Sequence, residues 1–323
     1  MASSTTRDEQ VNNTTRYYAP AKVPKTSISH PINISWVIPP DVLHYLSTTD
    51  FPNDFDLYDF MNPYVKEIFI NSNTILQPVK KIRGNLCLSS CPGKKVRLSG
   101  PVRGRATIDR DLDLDFERMR MFGITTLVCC LDDIEMDFLG APWPKYELAA
   151  KDKGMRIIRL PMREGGCPST LKEVKDAVIE VNKEIEKGDN VLVHCRGGVG
   201  RAGLFAACWL LENSFCNTVE KAVYILRKQR SLKAIETMMQ VEYIIKYRME
   251  LDKRRNNDIP FSKTEVTSYH GELARFEENG SPTIHYIAEV EGSISRDPAF
   301  LQDGYSFFNN RKQEQGSNVY GFS

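Results

Sequence analysis

The stretch VLVHCRGGVGRAGLFAACWLLE, residues 191–212, decides how this chain is read. It opens on Val191 to His194, an apolar run without alternation, as a strand covered on both faces requires. The turn His194-Cys195-Arg196-Gly197-Gly198-Val199-Gly200-Arg201 follows, and then a helical pattern from Arg201 to Glu212 that is apolar almost all round. Such a helix belongs in the middle of a domain, with its N-terminus opening at whatever the turn holds. Gly197, Gly198 and Gly200 let the backbone curl until successive N–H groups face one concavity that a Cβ would obstruct. The helix N-terminus adds partial positive charge to those donors. The product is a cradle for a tetrahedral dianion such as phosphate. Arg201 supplies a planar fork that grips two oxygens at once, which Lys cannot do. Cys195 sits at the base, where the same field favours a thiolate and makes it a nucleophile. The plainer alternative, a Gly-rich turn around a merely buried thiol, leaves the agreement of nucleophile, clamp and glycines unexplained.

Outward from this stretch, strands alternate with helices. Ile124 to Leu131 and Met155 to Leu160 read as two further strands, with helices at Asp113–Phe122 and Glu147–Lys153 between them. A longer helix, Leu171 to Lys187, places Val174, Ala177, Val178, Val181 and Ile185 on one face. It opens with a capping box, Thr170 to Glu173, and stops at Gly188. After the Arg201–Glu212 helix come helical patterns at Val219–Arg227 and Ile235–Leu251. The order predicts an α/β fold with a mostly parallel central sheet flanked by helices. Residues 1–30, polar and without an apolar period, read as a disordered arm. Residues 31–83 read as an extension packed on the core, 84–255 as the domain, and 256–323 as a polar, largely disordered tail in which Phe300, Leu301, Phe307 and Phe308 form a candidate docking motif.

Composition narrows the class. Of 323 residues, 41% are hydrophobic and 26% charged, which is globular and excludes collagenous or wholly disordered chains. The formal charge of +1 gives no global field to hold a nucleic acid. No run of eighteen apolar residues exists to span a membrane, and the start carries no apolar signal core. Eight Cys then read as free thiols in a cytoplasmic or nuclear protein. Cys87 and Cys91 lack a second ligand pair at zinc spacing, so neither metal nor other cofactor is expected.

The segment VHCRGGVGRAG carries an HCxxGxxR pattern, and CLSSCPGKK at 87–95, LPMREGGCP at 160–168 and LRKQRSLKAIET at 226–237 accompany it. With these the chain resembles the cysteine-dependent protein tyrosine/dual-specificity phosphatase superfamily, and in particular the kinase-associated phosphatase (cyclin-dependent kinase inhibitor 3) family. The resemblance spans roughly 84–255. It implies a compact dual-specificity-phosphatase-like fold and hydrolysis of phosphate monoesters through a phosphocysteine intermediate. The substrate it implies is a phosphorylated protein, a kinase among the candidates. Cys195 is then the nucleophile and Arg201 the clamp, with Arg196, Gly197, Gly198, Val199 and Gly200 binding the phosphate. His194 supports the thiolate, and Arg227, Arg230 and Gln240 brace the loop and position water, with Glu236 a weaker case. A rhodanese-like sulfurtransferase also uses a cysteine loop, but gives the acid-bearing segment at 160–168 no role.

Two positions depart from the family pattern. Where the family has an acid Asp, this chain has Glu164, a carboxylic acid one methylene longer; Asp132 and Asp133, after the Ile124–Leu131 strand, are the alternative acids. Where most relatives have Ser or Thr after the clamp, this chain has Ala202, as the phosphatases of regenerating liver do, which implies slow breakdown of the intermediate. A slow or inactive phosphate-binding pseudophosphatase is therefore the first rival reading. The second is a phosphoinositide or other non-protein phosphatase, suggested by Arg196 and by Lys80, Lys81, Arg83, Lys94, Lys95, Arg97, Arg103 and Arg105, a stretch with no acid in it. Asp50 to Tyr64, acidic and aromatic, reads as a packed surface segment, with occlusion of that basic stretch as the alternative. Cys129 and Cys130 read as small core residues, with a protective disulfide to Cys195 as theirs.

Overall fold

A computed structural model describes residues 23–48, 56–65, 67, 84–102 and 105–257. In chain order the elements are β1 (Lys25–Thr26), β2 (Ser35–Trp36), α1 (Pro40–Thr48), α2 (Leu57–Phe60), β3 (Leu86–Ser90), β4 (Lys95–Val96), β5 (Ile108–Asp109), α3 (Leu112–Met121), β6 (Ile124–Cys129), α4 (Asp133–Phe138), α5 (Trp143–Asp152), β7 (Arg156–Arg159), α6 (Leu171–Lys187), β8 (Asn190–Cys195), α7 (Arg201–Glu212), α8 (Val219–Gln229) and α9 (Met238–Asn257). The larger sheet runs β2-β3-β8-β6-β7. Every neighbouring pair is parallel except β2 on β3. β8 lies at the centre, pairing with β3 from Leu86↔Val191 to Ser90↔Cys195 and with β6 up to Cys129↔His194. This explains its unbroken apolar run: Val191, Leu192, Val193, His194 and Cys195 are all buried. Because β3, β6, β7 and β8 point the same way, the loops that follow them gather at one edge.

α7 is buried from Arg201 to Leu211, and Trp209 donates its indole N–H to Asn182 Oδ1 of α6 at 2.8 Å. α6 buries the five residues its periodicity predicts, with Thr170 Oγ1 accepting the Glu173 N–H and Gly188 closing it in the left-handed region, φ 103°. Residues ahead of the sheet add to the same core: Ile32, Val37, Ile38, Val42, Leu46, Leu57 and Phe60 are buried. Buried Asn85 clamps Ile38, accepting its N–H at 3.4 Å and donating to its carbonyl at 2.7 Å.

Several expectations change. The predicted disordered arm overreaches, for Lys25–Thr26 pairs parallel with β5. Ser27 Oγ accepts the Asp111 N–H at 2.9 Å and donates to Asp115 at 2.8 Å, so this serine ties the segment to the start of α3. Residues 1–22 of that arm, the tail beyond 257 with its Phe300–Phe308 motif, and Lys80, Lys81, Arg83 and Arg103 lie outside the described residues. Of the acidic-aromatic segment, Asp56 caps α2 and pairs with Lys221 of α8 at 2.9 Å, while Tyr58 meets Tyr224 edge-on. That part packs on α8. The helix predicted from Ile235 starts at Met238 instead: Ile235 sits at φ 64°, and its N–H bonds the Val199 carbonyl, not a helical one. α5 begins at Trp143, upstream of the predicted Glu147, because Pro144 is tolerated in a first turn.

Candidate active site

Cys195 is the last residue of β8, and its loop is bent by contacts on the outside. A Cβ on Gly198 would stand 2.0 Å from the Ser89 carbonyl oxygen, and φ there is +70°, so only glycine fits. The loop carbonyls are held from behind. Arg230 Nε and Nη2 donate to Gly198 O and Gly197 O at 3.0 and 3.1 Å. Lys94 Nζ donates to Arg196 O at 2.9 Å, and the Ile235 N–H to Val199 O at 3.2 Å. In a trans peptide the N–H points opposite to the C=O, so drawing four successive carbonyls outward turns the N–H groups of Gly197 to Gly200 inward. One of them, Gly198 N–H, donates to Cys195 Sγ at 3.2 Å.

The cradle is completed by Arg201, whose side chain is only 3% exposed. Nη1 donates to Glu135 Oε2 at 2.6 Å and to Met162 O at 2.9 Å, and Nη2 donates to Glu135 Oε1 at 2.8 Å. Three of the five guanidinium N–H groups are thereby used on one end of the plane. The Nε–H and the second Nη2–H, which lie on the adjacent edge, remain to grip two oxygens of a ligand. Burial works against the charge on Arg201, but the Glu135 hydrogen bonds together with the nearby Cys195 and Glu135 charges outweigh it and raise its pKa. Glu135 is the functional residue that sequence reading missed. Its only signal in the sequence is a carboxylate just beyond the β6 strand end, where Asp132 and Asp133 offer nearer acids. Neither of those is placed for acid work. Asp132 caps α4 by accepting the Glu135 N–H at 2.8 Å, and Asp133 pairs with Arg159 at 2.6 Å.

A cavity of about 340 Å³ contains Cys195, Arg196, Gly197, Val199, Gly200, Arg201 and Glu164 among its walls. Glu164 stands at the rim, its side chain 67% exposed, and both its oxygens accept from Arg196 Nη1, at 2.9 and 3.2 Å. Arg196 also lies 5.6 Å from the Phe138 ring centroid. It therefore reaches across the mouth and does not point into the cradle. The segment carrying Glu164 is docked from α9 and the turn before it: Thr237 Oγ1 donates to Gly165 O at 2.8 Å and Gln240 Nε2 to Gly166 O at 3.2 Å. Buried Gln240 also accepts the Glu236 N–H, so it ties the acid segment to the turn that holds Val199. Arg227, by contrast, braces only Ala234 O, at 3.4 Å.

His194 is fully buried with Nε2 2.7 Å from the Tyr146 hydroxyl. Burial, then Arg159 and Arg201, lower its pKa to about 3, so the ring is neutral and is held by the Tyr146 side chain. Ala202 is buried in the first turn of α7. Cys130 donates its N–H to His194 O at 3.0 Å, and Cys129 Sγ lies 3.7 Å from Met136 Sδ. Burial pushes both thiols up, Cys129 to about 11, and all eight cysteines are unpaired. Lys94, Arg97 and Arg105 of the basic stretch line the cavity, whereas Lys95 pairs with Asp109. Among the described residues no group of His, Cys, Asp and Glu could hold a metal, and no helix is long and apolar enough to cross a membrane.

Residues 106–253 match the family described as PTP-SAK, Swiss Army Knife protein, DSP-PTPase phosphatase domain. Human cyclin-dependent kinase inhibitor 3 is 36% identical over 93 residues, covering 28% of this chain and 42% of the human protein. The mouse protein of the same name is 33% identical over 149 residues, 45% of this chain and 66% of that protein. The match thus spans about two-fifths of the human relative's length. A crystal structure of kinase-associated phosphatase with its catalytic cysteine changed to serine aligns at a TM-score of 0.49 and 22% identity, over 72% of this chain and 98% of that one. Through the domain that holds Cys195 and Arg201, the chain belongs to the dual-specificity protein tyrosine phosphatase superfamily, near the kinase-associated phosphatase group.

Proposed function

We propose that the chain is a phosphoprotein phosphatase of tyrosine or dual specificity that works through a phosphocysteine intermediate. The observation that carries this reading is one cavity lined by Cys195, Arg201 and Glu164 together. The Cys195 thiolate attacks phosphorus while the inward N–H groups and Arg201 hold the equatorial oxygens. As the phosphorus–oxygen bond breaks, Glu164 gives its proton to the leaving oxygen. Water then attacks phosphorus, Glu164 takes up its proton, and phosphate and the thiolate are released. To act in this cycle Glu164 must exchange Arg196 for the leaving oxygen. The all-thiol chemistry suits a reducing compartment, and we place the protein in the cytoplasm or nucleus.

The test is turnover of an aryl phosphate and of phosphotyrosyl and phosphothreonyl peptides by the wild type and Cys195→Ser. Turnover that vanishes in the variant, with binding of a phosphopeptide retained, supports the mechanism. Appreciable activity in Cys195→Ser removes Cys195 from the chemistry. Ala202 and the Glu164–Arg196 pair favour a second reading, a slow or inactive phosphate-binding protein. Phosphopeptide binding without wild-type turnover selects it.

A further inference from the structure

The transferred phosphate is served by the loop N–H groups and by Arg201, yet the cavity wall opposite holds more positive charge than that phosphate can use. Lys94, Arg97 and Arg105 all line it. Two acids share the cavity: Glu164 is taken by Arg196, and Glu236 sits on the loop side with Oε2 against Gly200, where an added Cβ would approach it to 2.3 Å. Among the described residues neither Arg97 nor Arg105 has a carboxylate within 4.0 Å, and Lys94 Nζ is turned to a loop carbonyl. Arg97 is also held there against its own backbone preference. It sits at φ 58°, a conformation side-chain-bearing residues rarely adopt. Its carbonyl accepts the Thr107 hydroxyl at 2.8 Å, and its Nε donates to Ala106 O at 2.9 Å. A strained residue pinned by backbone and side chain presents its guanidinium in a fixed direction.

A second cavity, of about 820 Å³, shares Glu164 and Gly165 with the first. Pro161, Met162, Cys167 and Met239 line it, with Arg163 and Asp132 of opposite charge. The two cavities therefore adjoin at Glu164 and Gly165, the first cationic and the second largely apolar. Resting on the phosphoprotein reading above, we propose that Arg97 and Arg105 form a subsite for a second anionic side chain (Asp, Glu or another phosphoresidue) flanking the scissile phosphoresidue of a peptide laid across both cavities. A phosphoinositide headgroup would fill the cationic end and leave the apolar cavity unused.

Binding to the full chain carrying Cys195→Ser tests this, followed by fluorescence anisotropy. The probes are labelled phosphotyrosyl and phosphothreonyl peptides with Ala, Glu or a second phosphoresidue at each of the three positions on either side. A vesicle containing phosphoinositide is the competitor. At least one acidic placement is expected to bind about tenfold more tightly than its Ala counterpart, the scale of charge-assisted contacts in a partly dry site. Arg97→Gly and Arg105→Ala should each collapse that ratio towards one, whereas Arg156→Ala, which removes a cation outside the cavity, should preserve it. Arg97→Gly relieves the positive φ, so its thermal midpoint should not fall, and lost selectivity cannot then be assigned to unfolding. Equal binding of acidic and Ala peptides overturns the proposal, as does a ratio that survives both Arg variants. Vesicle binding that excludes every peptide does so too. Wild-type turnover, measured separately, judges the phosphatase reading, so the two can fail independently.

Discussion

Glu135→Ala should leave Arg201 as a buried charge with one protein partner, and its cost follows from the geometry. The substitution removes two charge-assisted bonds, of 2.6 and 2.8 Å, and spares the 2.9 Å bond to Met162 O. Breaking a buried pair from one side costs about 3–5 kcal/mol. Arg201 is 3% exposed but Glu135 is 13% exposed, and the free edge of the guanidinium faces an open cavity, so water softens the loss. We expect about 3 kcal/mol, measured by urea unfolding. The same loss frees the guanidinium plane to rotate, and misplacing a phosphate clamp by about 1 Å should lower kcat/KM on an aryl phosphate on the order of a hundredfold. Glu135→Gln keeps one acceptor and should fall between. The double change Glu135→Met with Arg201→Met separates the two effects. Removing both charges should restore most of the stability, to within about 1 kcal/mol of wild type, while activity stays lost. If Glu135→Ala remains within threefold of wild-type kcat/KM, the pair does not aim the clamp. If the double variant is no more stable than the single one, an uncompensated charge is not the cause.

Three further outcomes are expected. Glu164→Gln should slow alkyl phosphates, with poor leaving groups, far more than activated aryl phosphates; equal slowing of both would remove Glu164 as the acid. Ala202→Ser restores a hydroxyl beside the clamp and should speed the second step about five- to a hundredfold, the worth of about 1–3 kcal/mol for a hydrogen bond to a charged group. Rapid mixing of the wild type should then show a product burst that shrinks in the Ser variant, and absence of both would make Ala202 a packing residue only. For His194 the folded pKa of about 3 lies below the ordinary 6.5, so the unfolded chain takes up a proton that the native state refuses. Stability should therefore fall with pH from about 6.5 downwards, the His194 contribution approaching ~1.4 kcal/mol per pH unit, and His194→Gln should lack that contribution. Parallel stability curves for the two proteins between pH 6.5 and 5 would count against it.

What was legible in the sequence is what neighbouring residues decide among themselves. The Val191–Glu212 stretch declares a buried strand, a glycine turn and a central helix because each signal lies within a few residues of the next. α6 is equally self-contained: its five buried residues and its caps, Thr170 and Gly188, follow from a 3.6-residue period and local hydrogen bonds. The nucleophile and the clamp belong to this class, with five residues between them on one turn. Glu135 does not, since it meets Arg201 from 66 residues away, across the edge of a sheet whose strand order no local pattern specifies. β3 is likewise illegible as a strand in the sequence, because five residues of LCLSS carry little periodicity and become a strand only by pairing with β8. Ile235 shows the opposite error. Its apolar spacing suits a helix, but its N–H is claimed by Val199 O, and a distant acceptor overrides a local preference. Arg97 and Arg105 were visible as charges and invisible as a wall, for charge is a property of residues and a cavity is a property of how distant segments close around space.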